Sequence, residues 1–414
     1  MKFTKNIFFK NVSVLFLGTV ISQAINIGGL PILSRMYGTT EFATLALFMA
    51  IGLIVLSIST LQLDIAIVKT NVLEEKYALI RGAFLSVFIF SILTAIALLI
   101  WTQWNPQFTL FFILSLYIYF IVNAGNQIFV YFFNSEKKYR NIATARILLS
   151  SVNLIVAIFL FYWNPELGLI IALIIANCIS LLCFLIFFGK QIKSIFQVTQ
   201  PQIKAVFNKF FQFVKFSTPA NFLDILSYQV VIIFLSKYFT EDITGSFFMA
   251  MRVVLLPTAL IGNAISQVFY KDISDKFAES NLAASEFWKV WKFLFVVGII
   301  PFTLLFLFGE ILFGFVLGEE WRLAGQMGAI LAISGFFIFL SSPTSTGFIV
   351  MNQQKYNLLN SSIRTIYTII LLIWSVAKND IFFFLWCYAI AEFLMIILYN
   401  FVMLRLLKKQ GKNQ

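Results

Sequence analysis

Twelve separate windows of about twenty or more predominantly apolar residues run through this 414-residue chain. A stretch of that length is what a helix needs to cross a hydrocarbon core roughly 30 Å thick. The windows cover residues 12–34, 42–66, 78–101, 108–133, 141–162 and 167–188, then 217–238, 245–270, 291–313, 323–351, 358–377 and 381–404. Hydrophobic residues make up 60% of the chain and charged residues 12%, against about 25% charged in soluble domains, which excludes a water-soluble globular fold. The runs are continuous rather than alternating, so the strands of a membrane barrel are excluded too. The fold class is an all-α membrane protein with twelve transmembrane helices. Breaks between windows carry turn chemistry, as at Tyr37-Gly38-Thr39-Thr40, Trp104-Asn105-Pro106, Asn164-Pro165 and Lys378-Asn379-Asp380.

The net charge of +12 would suggest nucleic acid in a soluble protein. In a membrane chain it sets orientation, and no nucleic-acid partner is expected. With the N-terminus in the cytoplasm, 25 of the 30 basic residues fall on the cytoplasmic side, counting Arg81, Arg146 and Arg364 at span edges, as the positive-inside pattern requires. Arg35, Lys237, Arg322 and Lys378 then lie outside and Arg252 lies within a span. Both termini are read as cytoplasmic, and Lys2, Lys5 and Lys10 as a lead-in rather than a cleaved signal peptide. Trp101, Trp104, Trp163, Trp321, Trp374 and Trp386 near the outer span ends form an interfacial belt. Residues 280–292 read as a surface helix that begins span nine, with Trp288 and Trp291 toward lipid and Lys289 and Lys292 toward headgroups. The three cysteines lie in apolar runs without metal or disulfide spacing. The absence of histidine removes His-based catalysis and ligation.

The longest polar stretch, residues 189–215 with five lysines and Pro201, divides the chain into six-helix bundles at 1–200 and 201–414. Shifting one half on the other by 202 positions pairs Leu33-Ser34-Arg35 with Leu235-Ser236-Lys237, Ala43 with Gly245 and Lys69 with Lys271. Each half holds an even number of spans, so the repeat is parallel. Such repeats are a transporter architecture, two pseudo-symmetric bundles around a central cavity.

Three stretches carry a family resemblance. They are Leu30 to Gly38 continuing through Thr60-Leu61-Gln62-Leu63-Asp64, Met249 to Pro257 followed by Leu260 to Phe269, and Leu317-Gly318-Glu319-Glu320-Trp321 with Ala324-Gly325. In these the chain resembles the polysaccharide (Wzx-type, O-unit) flippases of the multidrug/oligosaccharidyl-lipid/polysaccharide exporter superfamily. The resemblance implies a multi-pass protein of the bacterial inner membrane that moves an undecaprenyl-pyrophosphate-linked oligosaccharide, for O-antigen, capsule or exopolysaccharide, to the outer leaflet. It implies alternating access coupled to a proton or sodium gradient, no other cofactor, and partners among membrane lipids and other polysaccharide assembly proteins. Gln62 departs from the pattern by standing where a basic residue is common, so no role in gripping cargo carries over to it.

A flippase needs positive charge for phosphates and hydrogen-bonding groups for sugars. Ionisable residues within a span cost about 2.5–3.5 kcal/mol on insertion scales and so face a cavity or a partner. Arg252 suits phosphate, with Pro257 placed to bend its helix. Asn221, Asp224 and Tyr228 share one helix face and read as cavity-lining. Asp224 is also read as an ion-coupling residue or a partner of Arg252. Glu392 lies deep in the last span without obvious polar company, and Asp64 lies near the cytoplasmic end of span two. Both are further ion-coupling candidates, with structural pairing and interfacial anchoring as alternatives. Ser22 and Asn26 in span one, and Asn123 and Asn126 beside Gln127 in span four, suit sugar hydroxyls or helix–helix hydrogen bonds. Arg35 and Lys237 outside, and Arg146 and Arg364 inside, are interface anchors or charges at the cavity mouths.

A drug/cation antiporter of the same superfamily is the first alternative, disfavoured by Arg252. A membrane polysaccharide polymerase is the second, disfavoured by short outer loops. No paired outer carboxylates, nucleophile elbow or ATP-binding motif is present, so the chain is not expected to be an enzyme.

Overall fold

The computed structural model describes residues 2–102, 110–262, 265, 266, 269, 273, 284–351, 353 and 355–410. Among them no strand occurs, and twelve helices are long and apolar enough to cross a membrane. Helices are expected here, because a backbone in hydrocarbon must satisfy its polar groups within the segment. The twelve long helices are α1 (Lys2–Met36), α2 (Thr39–Ser59), α3 (Leu73–Thr102), α4 (Leu110–Ser135), α5 (Tyr139–Phe161) and α6 (Pro165–Phe188). Then come α7 (Gln200–Tyr238), α8 (Glu241–Val254), α9 (Ala284–Leu317), α10 (Arg322–Ser341), α11 (Lys355–Lys378) and α12 (Ile381–Gln410).

Local chemistry sets several ends. Asn164 caps α6, its side-chain oxygen accepting from Leu167 N–H at 3.2 Å, with Pro165 in the first helical position. Gly189, at φ 56°, closes the same helix in a conformation only glycine adopts freely. Thr240 caps α8 through Ile243 N–H.

The chain forms two compact units. One comprises residues 1–37 and 48–225, the other residues 38–47 and 226–414. In the first unit α1 packs on α5, α5 on α6, and α4 on α3 and α6. Its core is aromatic: Phe129, Phe132, Phe133, Phe184 and Phe188 contact one another, with Tyr77 against Phe132 and Phe188. In the second unit α10 is central, touching α8, α9 and α12, while α11 packs on α12. The start of α2 belongs here. Phe42 meets the fully buried Trp321 edge-on, with ring centres 5.1 Å apart, and Thr39 donates to the Asp242 carboxylate. A Cβ on Gly245 would lie 2.0 Å from the Thr39 carbonyl oxygen, so only glycine allows this approach.

Three segments depart from the sequence expectation. Span two does not continue to residue 66; α2 stops at Ser59, and Leu61 and Gln62 take left-handed φ angles of 52° and 57°. A short helix, Leu63–Ala66, and a 3-10 turn, Ile67–Lys69, follow. Span eight breaks after Val254, beside Pro257, into a π-helical turn at Thr258–Gly262. The basic stretch before span seven is largely helical. It holds a short helix at Ile192–Gln197 and the first part of the 39-residue α7, because Val206, Phe210 and Val214 recur every fourth residue and bury against the aromatic core. Residues 280–292, read as a surface helix that begins span nine, are helical from Ala284 onward as the first part of α9, and residues 280–283 lie outside the described residues. In the aromatic belt Trp163, Trp374 and Trp386 are exposed as expected, whereas Trp321 is a core residue. Trp104 and Lys271 lie outside the described residues, as does the side chain of Trp101.

Candidate functional site

Polar side chains inside an apolar bundle carry the chemistry, and they fall into separate groups. In the second unit Arg364 is the tenth residue of α11 and Glu392 the twelfth of α12. The Arg364 Nε donates to Glu392 Oε1 at 2.7 Å and its Nη2 to Oε2 at 3.3 Å, a two-pronged ion pair. The Tyr367 hydroxyl, one turn along α11, donates to the same Oε1 at 2.7 Å. The Arg364 guanidinium lies over the Tyr228 ring of α7, 5.0 Å from its centre. Tyr388, one turn before Glu392, is buried with its ring centre 6.4 Å from that of Tyr367. Glu392 is 0% exposed and Arg364 8%.

This corrects two expectations. Arg364 is not an exposed anchor or mouth charge, because the helix begins nine residues earlier and carries it into the bundle. Glu392 does not lack polar company; its partners come from the neighbouring helix and were invisible along its own. Tyr228 shields this pair. The three-residue stripe therefore divides: Asn221 in the first unit donates to the Ser57 carbonyl at 3.0 Å. Asp224, between them on α7, is half-buried.

In the first unit Asp64 is 0% exposed and sits just beyond the left-handed break in span two. Thr60 Oγ1 donates to its Oδ1 at 2.9 Å and Gln127 Nε2 of α4 to its Oδ2 at 2.7 Å. Both donors are neutral. Asp64 is therefore a bundle residue and not an interfacial anchor. The break also leaves backbone carbonyls to be satisfied by side chains. Ser86 Oγ donates to the Ser59 carbonyl at 2.6 Å, and the buried Gln62 amide points at that of Ser57, 3.5 Å away.

A third group is a helix seam. On α5, Arg146 Nη1 donates to Thr19 Oγ1 at 2.9 Å and Ser150 shares a 2.6 Å hydroxyl contact with Ser22, both partners on α1. A Cβ on Gly18 would fall 2.3 Å from the Ala143 Cβ, so the two helices touch closely here. Ser22 is buried in this seam, and Asn126 is buried against α6, donating to the Asn177 carbonyl at 3.0 Å. Of the two readings for these residues, the structure shows the helix–helix hydrogen bond for both. Asn123 donates to the Tyr119 hydroxyl at 2.8 Å and, like Asn26, is half-buried.

Arg252 is the twelfth residue of α8, about 16 Å along the helix, deeper than a start at residue 245 implies. It sits in the last turn, where a cation complements the helix dipole. It is half-buried and forms no ion pair or hydrogen bond among the described residues. Arg35 and Lys237 end α1 and α7 and are exposed, with the Lys237 ammonium 5.3 Å from the Tyr238 ring centre.

Sequence reasoning missed Thr60 and Tyr367 as partners of buried acids. The signal was spacing for Tyr367, which lies three residues after Arg364, one helical turn; Thr60 lies across the left-handed break from Asp64 and carries no such signal.

A family model described as "Polysaccharide biosynthesis protein" matches residues 32–326. Among curated proteins, none matches the chain. Among solved structures, the chain is similar to an inward-facing multidrug resistance MATE family transporter of the MOP superfamily. They share 13% identity at a TM-score of 0.70, with 97% of this chain and 98% of that one covered. It is also similar to the lipid II flippase MurJ in an inward closed conformation, at 14% identity and a TM-score of 0.69, covering 98% and 90%. A MOP superfamily transporter from Pyrococcus furiosus matches at 13% identity and 0.60, covering 97% and 96%. With the MOP transporter fold and a family match over 32–326, the chain belongs to the polysaccharide biosynthesis protein family.

Proposed function

We propose that the protein is a flippase of the bacterial inner membrane, with both termini cytoplasmic. Its cargo is an undecaprenyl-pyrophosphate-linked oligosaccharide, moved between leaflets by alternating access. The observation that carries this reading is the family match on a chain with the fold of MOP transporters. MurJ, which shares that fold, is a lipid II flippase, which supports a lipid-linked cargo. Arg252 supplies a cation whose planar fork suits phosphate oxygens, at the end of a broken span of the kind that builds transporter sites.

Gradient coupling by a proton or sodium ion is assigned to Asp64. Among the described residues, buried Glu392 is already neutralised by Arg364 and Glu286 by Lys289, whereas the donors that meet Asp64, Thr60 and Gln127 among them, are neutral. The same residue favours a second reading, a cation antiporter. The experiment that separates them places purified protein in vesicles loaded with fluorescent lipid-linked oligosaccharide on one leaflet. Protein-dependent loss of quencher protection supports the flippase; no movement of that lipid, with proton-driven efflux of an organic cation, replaces it by the antiporter.

A further inference from the structure

A groove of about 480 Å³ opens on the side of the first unit, between α3 and the first two turns of α7. That size is within the range of small-molecule pockets. It follows α3 from Ala78 to Phe90, about 18 Å of helix, and Leu61 and Leu63 close its inner wall beside the break in span two. Leu85 and Ile89 on its rim are exposed, at 39% and 58%, so the groove faces the lipid side of the unit.

Its polarity is confined to one wall. The Ser86 hydroxyl is spent on the Ser59 carbonyl, which leaves the walls effectively apolar. The two remaining polar groups, Gln200 and Lys204, lie one turn apart in the first turns of α7 and share one helix face. Lys204 is exposed and forms no ion pair among the described residues. It belongs to a stretch that also holds Lys190, Lys193 and Lys209, on the side where the first turns of α7 extend past its membrane span. A largely apolar slot that carries one free cation complements an amphiphile with a hydrocarbon chain and a phosphate.

We infer that this groove binds an anionic phospholipid of the Lys-rich leaflet, one acyl chain between α3 and α7 and the phosphate at Lys204. The site is separate from Arg252 and does not depend on the flippase reading, since lipid occupancy is measured without transport.

The test uses the full chain in phosphatidylcholine vesicles containing a trace of phosphatidylglycerol with a photoactivatable acyl chain. Labelled peptides should cluster in residues 78–90 and 200–207. Gly82 leaves room for a Cβ at 3.5 Å from both Ile203 and Leu63, so Gly82→Phe fills the slot and should reduce labelling at least fivefold. Ile89→Trp, on the lipid-facing rim, should do the same if Gly82→Phe fails to fold. Lys204→Gln should lower the preference for phosphatidylglycerol over an equivalent phosphatidylcholine probe about fivefold, the worth of one basic residue near an anionic headgroup. Labelling spread over all lipid-facing helices and unchanged by Ile89→Trp would overturn the inference. So would labelling of these peptides by a photoactivatable polyprenyl phosphate in preference to phosphatidylglycerol, since the groove would then hold a cargo tail.

Discussion

At the scale of single residues, Asp64 and Glu392, both fully buried, should respond to neutralisation very differently. Glu392→Gln leaves the Arg364 guanidinium buried without its counter-charge, and breaking such a pair costs about 3–5 kcal/mol. Replacing both, as Glu392→Leu with Arg364→Met, removes the stranded charge, and thermal unfolding in detergent should show most of that loss recovered. A double variant as unstable as the single one would contradict the pairing. Asp64→Asn removes a charge that has only neutral donors and sacrifices one hydrogen bond, so its stability should stay within about 1 kcal/mol of the parent. In the coupling role proposed for Asp64, transport by this variant should no longer respond to imposed proton or sodium gradients; an unchanged response would reduce Asp64 to a structural residue. Neither contrast could be read from composition. Arg364 and Glu392 are 28 positions apart, and only the packing of α11 on α12 brings them together.

At the scale of elements, the break in span two is the least anticipated feature. Left-handed backbone costs an L-residue roughly 1–2 kcal/mol, and Leu61 and Gln62 both adopt it. Gln62→Gly should therefore be tolerated and Gln62→Val should lower the melting temperature, since β-branched side chains suit this region worst. Equal melting temperatures for the two would argue against the left-handed turn. Gly245→Val should destabilise by at least about 1–3 kcal/mol, the usual cost of overpacking, because its Cβ meets the Thr39 carbonyl; a melting temperature equal to the parent's would contradict that contact. The existence of the helices was legible, since span length is a one-dimensional requirement that twelve apolar windows meet directly. Their ends were less so. The first part of α7 was hidden because its lysines outweigh the Val206, Phe210 and Val214 stripe in any average over a window. The break was hidden because leucine and glutamine carry no turn signature, unlike Asn164-Pro165, which was read correctly. The roles of Ser22 and Asn126 stayed open in the sequence because an isolated polar residue looks the same whether it faces a cavity or a neighbouring helix.

At the scale of the whole molecule, the chain has the MOP transporter fold and belongs to the polysaccharide biosynthesis protein family. The proposal adds a cargo, and within it Arg252 has the most exposed part: a single cation, deep along a broken span, with no partner of its own among the described residues. The direct measurement is leaflet accessibility of a pyrophosphate-linked oligosaccharide in vesicles carrying the parent, Arg252→Lys or Arg252→Ala, each first shown to be inserted and monodisperse. Losing a charge-assisted hydrogen bond to phosphate is worth about 1.5–3 kcal/mol, so flipping by Arg252→Ala should fall at least tenfold, with Arg252→Lys between it and the parent. Flipping by Arg252→Ala at the parent rate would remove this residue from the site, and no flipping by the parent protein itself would contradict the account.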